Sequence, residues 1–174
     1  MDLGFQDSMS ARENFEAAKQ LTEIFAENRQ HRTPFVLHFA NFTEQNHLAH
    51  LLQQMMPNIR DLPLILNSND YVDQFPKEKL VILTPDSPHN LDKFNPNDHY
   101  VINAIVDRGD KVPLSMAKAK RYNLRTARLP LDKYRSVRLN NRLTLNQIFL
   151  VMLEMKTSQN WDKAFNYIAP RKFK

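Results

Sequence analysis

Three short polar segments follow apolar runs of the chain and contain the residue types best suited to chemistry. These segments are Leu83–Pro88, Asp107–Lys111 and Leu129–Tyr134. The apolar runs before them are typical of buried parallel strands, and ligands of open α/β sheets bind outside the carboxyl ends of the strands. We therefore expect the three segments to form parts of one pocket.

Asp107 is the candidate for acid–base chemistry, because it ends the apolar run Tyr100–Val106. A carboxylate at the end of a buried strand is partly desolvated and rigidly held, and a raised pKa lets such a group act as a general base. A structural role, as a helix N-cap or as an ion-pair partner of Arg108 or Lys111, fits the same spacing. The spacing alone leaves both roles open.

Positive charge is concentrated in residues 107–142. This segment contains eleven Lys or Arg and three Asp, a net charge of +8, so the rest of the +5 chain sums to −3. Such a segment favours a polyanionic partner, and Tyr122 and Tyr134 could stack on a base; a solvated helix face and core packing are the alternatives. The candidate RNA-binding residues are Lys118, Lys120, Arg121, Arg125, Arg128 and Lys133, and the stretch continues through Arg135, Arg138 and Arg142.

Composition excludes several common kinds of site. The chain has no cysteine, which excludes disulfides, cysteine–zinc sites and cysteine nucleophiles. Its two glycines, Gly4 and Gly109, are too few for a Walker P-loop or a dinucleotide fingerprint, which also weakens a flavodoxin-like interpretation. His47 and His50 have a spacing that can share a metal, but no third ligand is evident, so we expect exposed helix histidines and no metal. We also expect no membrane span and, at Met1–Phe5, no signal or transit peptide.

Strands and helices are predicted to alternate along the chain. The predicted strands are Pro34–Phe39, Leu62–Leu66, Leu80–Leu83, Tyr100–Val106 and Thr126–Leu129. The predicted helices run from Ser10 to about Asn28, after a Thr43 cap, over Leu114–Tyr122, from Thr144 and over Trp161–Ile168, with capping boxes at Ser10–Glu13 and Thr144–Gln147. The first helix is expected to bury Phe15, Ala18, Leu21, Ile24 and Phe25. This alternation predicts one α/β domain over residues 1–174 with a mainly parallel sheet.

Four segments in order along the chain carry a family resemblance: Leu83–Ser87, Tyr100–Asp107, Ala127–Tyr134 and Leu143–Gln147. Together they resemble the Trm10 family of tRNA purine-9 N1-methyltransferases. A further block, Ser115–Leu124, is most similar to the mitochondrial branch of that family, which belongs to mitochondrial RNase P. The likeness covers nearly the whole chain.

The resemblance implies a SPOUT fold, in which helices flank a mainly parallel sheet and the C-terminal half forms a trefoil knot. It implies S-adenosyl-L-methionine as the cofactor and Asp107 as the general base that removes the proton from guanine N1. The implied cofactor-binding residues are Leu83, Thr84, Asn103, Asp107, Arg108, Gly109, Asp110, Lys111, Ser115, Leu129, Pro130, Leu131, Leu143 and Thr144.

The implied function is methylation of the purine at tRNA position 9 during tRNA processing in the mitochondrial matrix. The implied partners are precursor tRNA, a short-chain dehydrogenase subunit and the protein-only RNase P nuclease subunit. The alternative is a non-catalytic tRNA-binding platform in that complex. Asn103 keeps this alternative open, because the family usually has glycine there and asparagine adds a side chain beside the cofactor.

The chain starts in what resembles the first strand of the family, at Asp2–Phe5. The N-terminal tRNA-binding region of the family would precede that strand. We therefore expect weak tRNA binding and little activity from this chain by itself.

Overall fold

Short parallel strands form the centre of the fold. In residues 1–106, 113–134 and 143–168, which the computed structural model describes, five strands form two small sheets. One sheet pairs β1 (His38–Phe39) with β2 (Ile65–Leu66). In the other, β3 (Leu80–Leu83) lies between β4 (His99–Val101) and β5 (Arg125–Ala127), and all these pairings are parallel. The predicted parallel α/β architecture is confirmed.

The first residues of the chain join the two sheets. The Asp2 backbone N–H donates to the Ile102 carbonyl at 3.1 Å, and the Ala104 N–H donates to the Asp2 carbonyl at 2.9 Å. On the other side, the Leu3 N–H donates to the Ala40 carbonyl at 3.2 Å. The joined order is therefore β2, β1, the segment around Asp2, β4, β3 and β5.

β3 is covered on both faces, as expected of a central parallel strand. All four of its residues are buried, and alternate side chains point to opposite faces. Val81 and Leu83 pack into the larger hydrophobic core, whereas Leu80 and Ile82 pack into a second cluster. The continuous apolar pattern of this strand thus reflects two separate packing environments.

α1 (Ala11–Gln30) begins at the predicted capping box. The Glu13 N–H donates to Ser10 Oγ at 3.3 Å, and the Ser10 N–H donates to Glu13 Oε2 at 2.8 Å. The prediction that Phe15 belongs to the buried face is wrong, because its side chain is 50% exposed. Asn14 occupies the buried face instead, where its amide donates to three carbonyls that precede and begin the helix. The remaining predicted residues, Ala18, Leu21, Ile24 and Phe25, are buried.

α2 (His47–Met55) begins later than its predicted cap. Asn46, not Thr43, is the N-cap, and its Oδ1 accepts from the N–H groups of Leu48 and Ala49. Asparagine is among the strongest N-capping residues, and this side chain also donates to the Leu3 carbonyl at 2.9 Å. The cap therefore fixes both the helix start and the first segment of the chain.

The remaining helices lie in the second half of the chain. They are α3 (Leu114–Tyr122), α4 (Leu131–Tyr134), α5 (Leu145–Ser158) and α6 (Trp161–Ala164). The capping box at Thr144 is confirmed, and α1 packs against both α2 and α5. Short 3-10 helices span Gln6–Ser8, Ile59–Asp61, Tyr71–Asp73, Lys77–Lys79 and Phe165–Tyr167, and the last of these ends the helix expected to reach Ile168. None of the helices in the described ranges has the length and apolar character needed to cross a membrane.

Some predicted strands are shorter than expected. The run Tyr100–Val106 leaves its ladder with β3 after Val101, and residues 102–104 pair with Asp2 instead. The Ile105 N–H then turns back to the Asn103 carbonyl at 2.8 Å, which ends the extended backbone. Apolar composition correctly indicates that this run is mostly buried, but it does not show where the pairing partner changes.

Candidate functional site

The carboxyl ends of β3 and β4 place two polar site residues, Thr84 and Asn103, at one edge of the sheet, and Ser115 of α3 contacts Asn103 there. Thr84 directly follows β3, and its N–H donates to the Ala127 carbonyl at 3.0 Å. Asn103 follows β4, and its side-chain Nδ2 donates to Ser115 Oγ on α3 at 2.8 Å. Because β3 and β4 are adjacent and parallel, their carboxyl ends face the same edge. This is the edge at which the sequence predicts a pocket.

Thr84 begins a hydrogen-bonded turn. Its carbonyl accepts from the Ser87 N–H at 3.3 Å, and its hydroxyl lies 3.4 Å from Asp86 Oδ2. Ser87 Oγ in turn lies 2.9 Å from Thr126 Oγ1 on β5. These contacts hold the segment after β3 against the neighbouring strand, so the turn has a defined shape before any ligand binds.

Asn103 has an unused hydrogen-bond acceptor. The residue is only 6% exposed, and its Oδ1 has no hydrogen-bond partner among the described residues. A buried carbonyl oxygen without a partner is costly, and such atoms in native structures usually mark a bound group or a functional role. The site offers one amide and two hydroxyl groups. These groups can accept hydrogen bonds from a ligand that carries neutral or cationic donors.

The apolar part of the predicted site comes from separate segments. Leu129, Leu131 and Leu143 are partly buried and pack against the larger core, to which Leu83 also belongs. The Leu131 N–H donates to the Leu129 carbonyl at 2.8 Å, which makes a tight turn around the buried Pro130. Thr144 caps α5 next to Leu143. Polar groups at the sheet edge and these leucines together suit a ligand with a polar end and an apolar body.

Several predicted site residues lie outside the described ranges. They are Asp107, Arg108, Gly109, Asp110 and Lys111. Three arginines of the basic stretch, Arg135, Arg138 and Arg142, also lie outside the described ranges. The roles of these residues stay predictions, as does the trefoil knot.

The six basic residues predicted to bind RNA differ in their surroundings. Lys118 contacts Asp2 and Asp70, and its side chain is 13% exposed. Arg125 contacts Asp98 through both terminal nitrogens. Lys120 and Arg121 are exposed on α3, and the Arg121 guanidinium lies 5.3 Å from the centre of the Tyr122 ring. Arg128 donates to Asn90 and pairs with Asp132, and Lys133 pairs with Asp92.

Exposure of these residues therefore varies along the segment. The hydrogen bond to Asp92 raises the pKa of Lys133 and so favours its charged form. Tyr134 is 40% exposed and contacts the Phe165 ring edge-on, whereas Tyr122 packs against the second hydrophobic cluster. The two tyrosines thus differ, and only Tyr134 presents a sizeable surface to solvent.

A cavity of about 160 Å³ lies at the opposite edge of the sheet, near the amino ends of β1, β3 and β4. Its walls include His38, Tyr71, Phe75 and His99. Burial lowers the pKa of His38, and the nearby chain amine and His99 act in the same direction. Sequence reasoning missed this cavity, because its walls come from segments that show no common motif. Among the residues of the described ranges, no cluster of three or more His, Asp or Glu could hold a metal ion.

The parallel α/β fold of this chain is that of solved Trm10 structures, which are methyltransferases of the SPOUT class. The sequence profile described as tRNA (guanine(9)-N(1))-methyltransferase TRM10/TRM10A matches residues 1–173, and the chain belongs to this Trm10 family. The resemblance drawn from short motifs is thereby confirmed. The methyltransferases of this family use S-adenosylmethionine.

Two relatives show how much of a longer protein the chain matches. The mitochondrial ribonuclease P protein 1 homolog of Drosophila melanogaster is 40% identical over 99% of this chain and 40% of its own length. The tRNA methyltransferase 10 homolog C of Homo sapiens is 34% identical over 98% of this chain and 43% of its own length. The chain therefore spans less than half the length of these curated relatives.

Solved structures share the fold over nearly the whole chain. The crystal structure of full-length spTrm10 in complex with SAH matches with a TM-score of 0.85 and 28% identity, over 95% of this chain and 91% of that one. The crystal structure of spTrm10(74) matches with a TM-score of 0.88 and 28% identity, over 97% of this chain and 91% of that one.

Proposed function

We propose that this chain is the catalytic domain of an S-adenosylmethionine-dependent enzyme that methylates N1 of the purine at position 9 of tRNA. The observation that carries the proposal is the polar edge formed by Thr84, Asn103 and Ser115 in a chain of the Trm10 family. The SAH bound to spTrm10, which has the same fold, supports the choice of cofactor.

The residues at the carboxyl ends of β3 and β4 fit such a cofactor. Asn103 Oδ1, which has no partner within residues 1–106, 113–134 and 143–168, would accept a hydrogen bond from the amino group of S-adenosylmethionine, and Thr84 would add polar contacts from the turn after β3. Leu83, Leu129, Leu131 and Leu143 would contact its apolar surface. When bound, S-adenosylmethionine supplies an electrophilic methyl group.

Asp107 is the proposed proton acceptor. Guanine carries a proton on N1, so a base has to take that proton as the new N–C bond forms, and a carboxylate can do so. Adenine N1 has a free lone pair and needs no base. One site could therefore serve both purines, with Asp107 required mainly for guanine.

We further propose that the chain acts in mitochondrial tRNA processing, in the matrix, on precursor tRNA. The name of the Drosophila melanogaster relative, a mitochondrial ribonuclease P protein 1 homolog, supports this setting. A short-chain dehydrogenase subunit and a protein-only nuclease subunit are the proposed protein partners.

A second candidate function is a tRNA-binding platform without catalysis. The observation that favours it is the Asn103 side chain, which is held by Ser115 at the strand end where the cofactor would lie. If this side chain occupies the space of the ligand, the domain would keep its fold and lose the cofactor.

Calorimetric titration of S-adenosylmethionine and S-adenosylhomocysteine into the protein separates the two candidates. The enzyme proposal expects micromolar binding by the wild-type chain. The platform proposal expects no binding by wild type and restored binding in Asn103→Gly, because glycine removes the obstructing side chain. Asn97→Gly, at an exposed loop position, is the matched control and should behave as wild type in both cases. Absence of binding in every variant would contradict the cofactor site.

A further inference from the structure

Lys118 is the most enclosed of the basic residues on α3. Its ammonium lies 2.7 Å from Asp2 Oδ2 and 2.5 Å from Asp70 Oδ2, and the three side chains are 13%, 0% and 22% exposed. The same nitrogen lies 4.4 Å from the centre of the Tyr71 ring. Two carboxylates and one aromatic face therefore surround a single ammonium, and little of it is left for a solvent-borne partner.

The carboxylates around Lys118 are themselves held by the fold. Asp2 Oδ1 accepts from the Gly4 N–H at 2.9 Å and from Asn41 Nδ2 at 2.7 Å. Asn41 Nδ2 also lies 3.4 Å from Asp70 Oδ2. Both carboxylate oxygens of Asp2 are in use, and Lys118 forms a 2.7 Å ion pair with this buried carboxylate.

Lys118 and Asn103 are linked through two routes. The backbone of Asp2 lies beside Asn103, because its N–H donates to the Ile102 carbonyl and its carbonyl accepts from the Ala104 N–H. Ser115, which accepts from Asn103 Nδ2, lies three residues before Lys118 on the same face of α3. The ion pair, the helix and the backbone bridge thus form a closed loop of contacts around Asn103.

We propose that Lys118 is a positioning residue for the cofactor site. It holds α3 against the segment around Asp2, and it thereby fixes Ser115 and the orientation of the Asn103 amide. This inference rests on the proposed function, because it assigns Lys118 to the cofactor site at the carboxyl ends of β3 and β4 and removes it from the RNA-binding surface. The charge acts inside the fold, where loss of one member of a buried ion pair leaves the others uncompensated.

The test compares Lys118→Met, Lys118→Arg and Lys120→Met, the last being a matched control at an exposed position of the same helix. Affinity for S-adenosylhomocysteine is measured by calorimetry, and affinity for tRNA by filter binding. Lys118→Met should weaken S-adenosylhomocysteine binding by about tenfold or more and change tRNA affinity by less than about twofold. Lys118→Arg should bind S-adenosylhomocysteine nearly as well as wild type, because it retains the charge. Lys120→Met should bind tRNA more weakly and leave the affinity for S-adenosylhomocysteine unchanged.

A spectroscopic readout separates positioning from a loss of stability. The side-chain amide signal of Asn103 in a 15N-correlated NMR spectrum is assigned by its absence in Asn103→Gly. It should shift in Lys118→Met and in Ser115→Ala, and it should stay in place in Lys120→Met. If Lys118→Met does not fold, Asp70→Asn, which leaves the Asp2 contact intact, should produce a smaller shift of the same signal.

Different outcomes overturn the two proposals. Failure of the wild-type chain to bind S-adenosylhomocysteine contradicts the proposed function, and the Asn103 signal then decides the positioning role alone. Wild-type cofactor binding that is unchanged in Lys118→Met, with an unmoved Asn103 signal, overturns the positioning role. Weaker tRNA binding by Lys118→Met with unchanged cofactor binding overturns it as well, and returns Lys118 to the RNA-binding surface.

Discussion

At the scale of single residues, the carboxyl ends of β3 and β4 are followed by polar side chains that are already buried from water. Thr84 is 3% exposed and Asn103 is 6% exposed. Polar groups fixed before binding need little reorganisation, so they favour a bound ligand more than mobile surface groups do. Hydroxyl and amide groups cannot take a proton at neutral pH, however, so Thr84, Asn103 and Ser115 cannot deprotonate guanine N1. The base must come from another residue, and Asp107 is the proposed one.

Replacing Asp107 by Asn tests this division of roles. We expect methylation of guanine-9 tRNA to fall by about 100-fold or more, since that is the usual contribution of a general base. Methylation of adenine-9 tRNA should change by less than about threefold, because its N1 carries no proton to remove. Single-turnover rates measured with protein in saturating excess, which offsets the weak tRNA binding expected of this chain, on matched tRNAs that differ only at position 9 give both effects.

Asp73→Asn, a change at an exposed aspartate outside the site, is the control for this experiment and should affect neither rate. Equal losses on the two tRNAs would contradict the base assignment and would leave Asp107 with only the cofactor-binding role that the family resemblance implies.

The sequence could identify the chemistry of single residues better than their contacts. Lys118 and Lys120 lie two positions apart in one basic segment, and the charge pattern predicts the same role for both. The structure places Lys118 against Asp2 and Asp70, which are 116 and 48 residues away along the chain. No local pattern contains that information, because it arises only when distant segments meet.

At the scale of elements, local signals determine where several helices begin. The capping box of Ser10 and Glu13 satisfies backbone N–H groups that have no partner within the first turn of α1. β3 and α3 have the predicted boundaries, because uninterrupted burial and a uniform helix pattern leave little choice. β4 ends early because residues 102–104 pair with Asp2, and Phe15 is exposed while Asn14 lies on the buried face of α1.

Replacing Ser10 by Ala should lower the free energy of unfolding by about 1 kcal/mol, the usual value of an N-cap side chain. The physical reason is that the Glu13 N–H loses its acceptor while the helix remains otherwise unchanged. Urea unfolding followed by circular dichroism measures the difference. Ser68→Ala, at an exposed loop position, should leave stability within about 0.5 kcal/mol of wild type. A loss as small in Ser10→Ala as in this control would show that the cap contributes little.

At the scale of the whole molecule, Asp2 joins features that lie far apart in sequence. Its backbone connects the two small sheets, and its side chain contacts α3 through Lys118. The resemblance to a family predicts this assembly as a unit, whereas periodicity predicts the strands without their order. The strand order depends on pairings between the first residues and residues 40 and 103, which no local window covers.

The distribution of charge over the molecule leads to a prediction about RNA binding. Each lysine that neutralises a phosphate releases counterions. Its loss therefore makes the negative slope of log affinity against log salt shallower by about 1. Lys120→Met should show this change for tRNA, because Lys120 is exposed within the basic segment. Lys19→Met, an exposed change on α1 outside that segment, should leave the slope unaltered, and so should Lys118→Met, whose ammonium is already paired with two carboxylates. Equal slopes for wild type and Lys120→Met would remove Lys120 from the RNA-binding surface, since a lysine that contacts no phosphate releases no counterion.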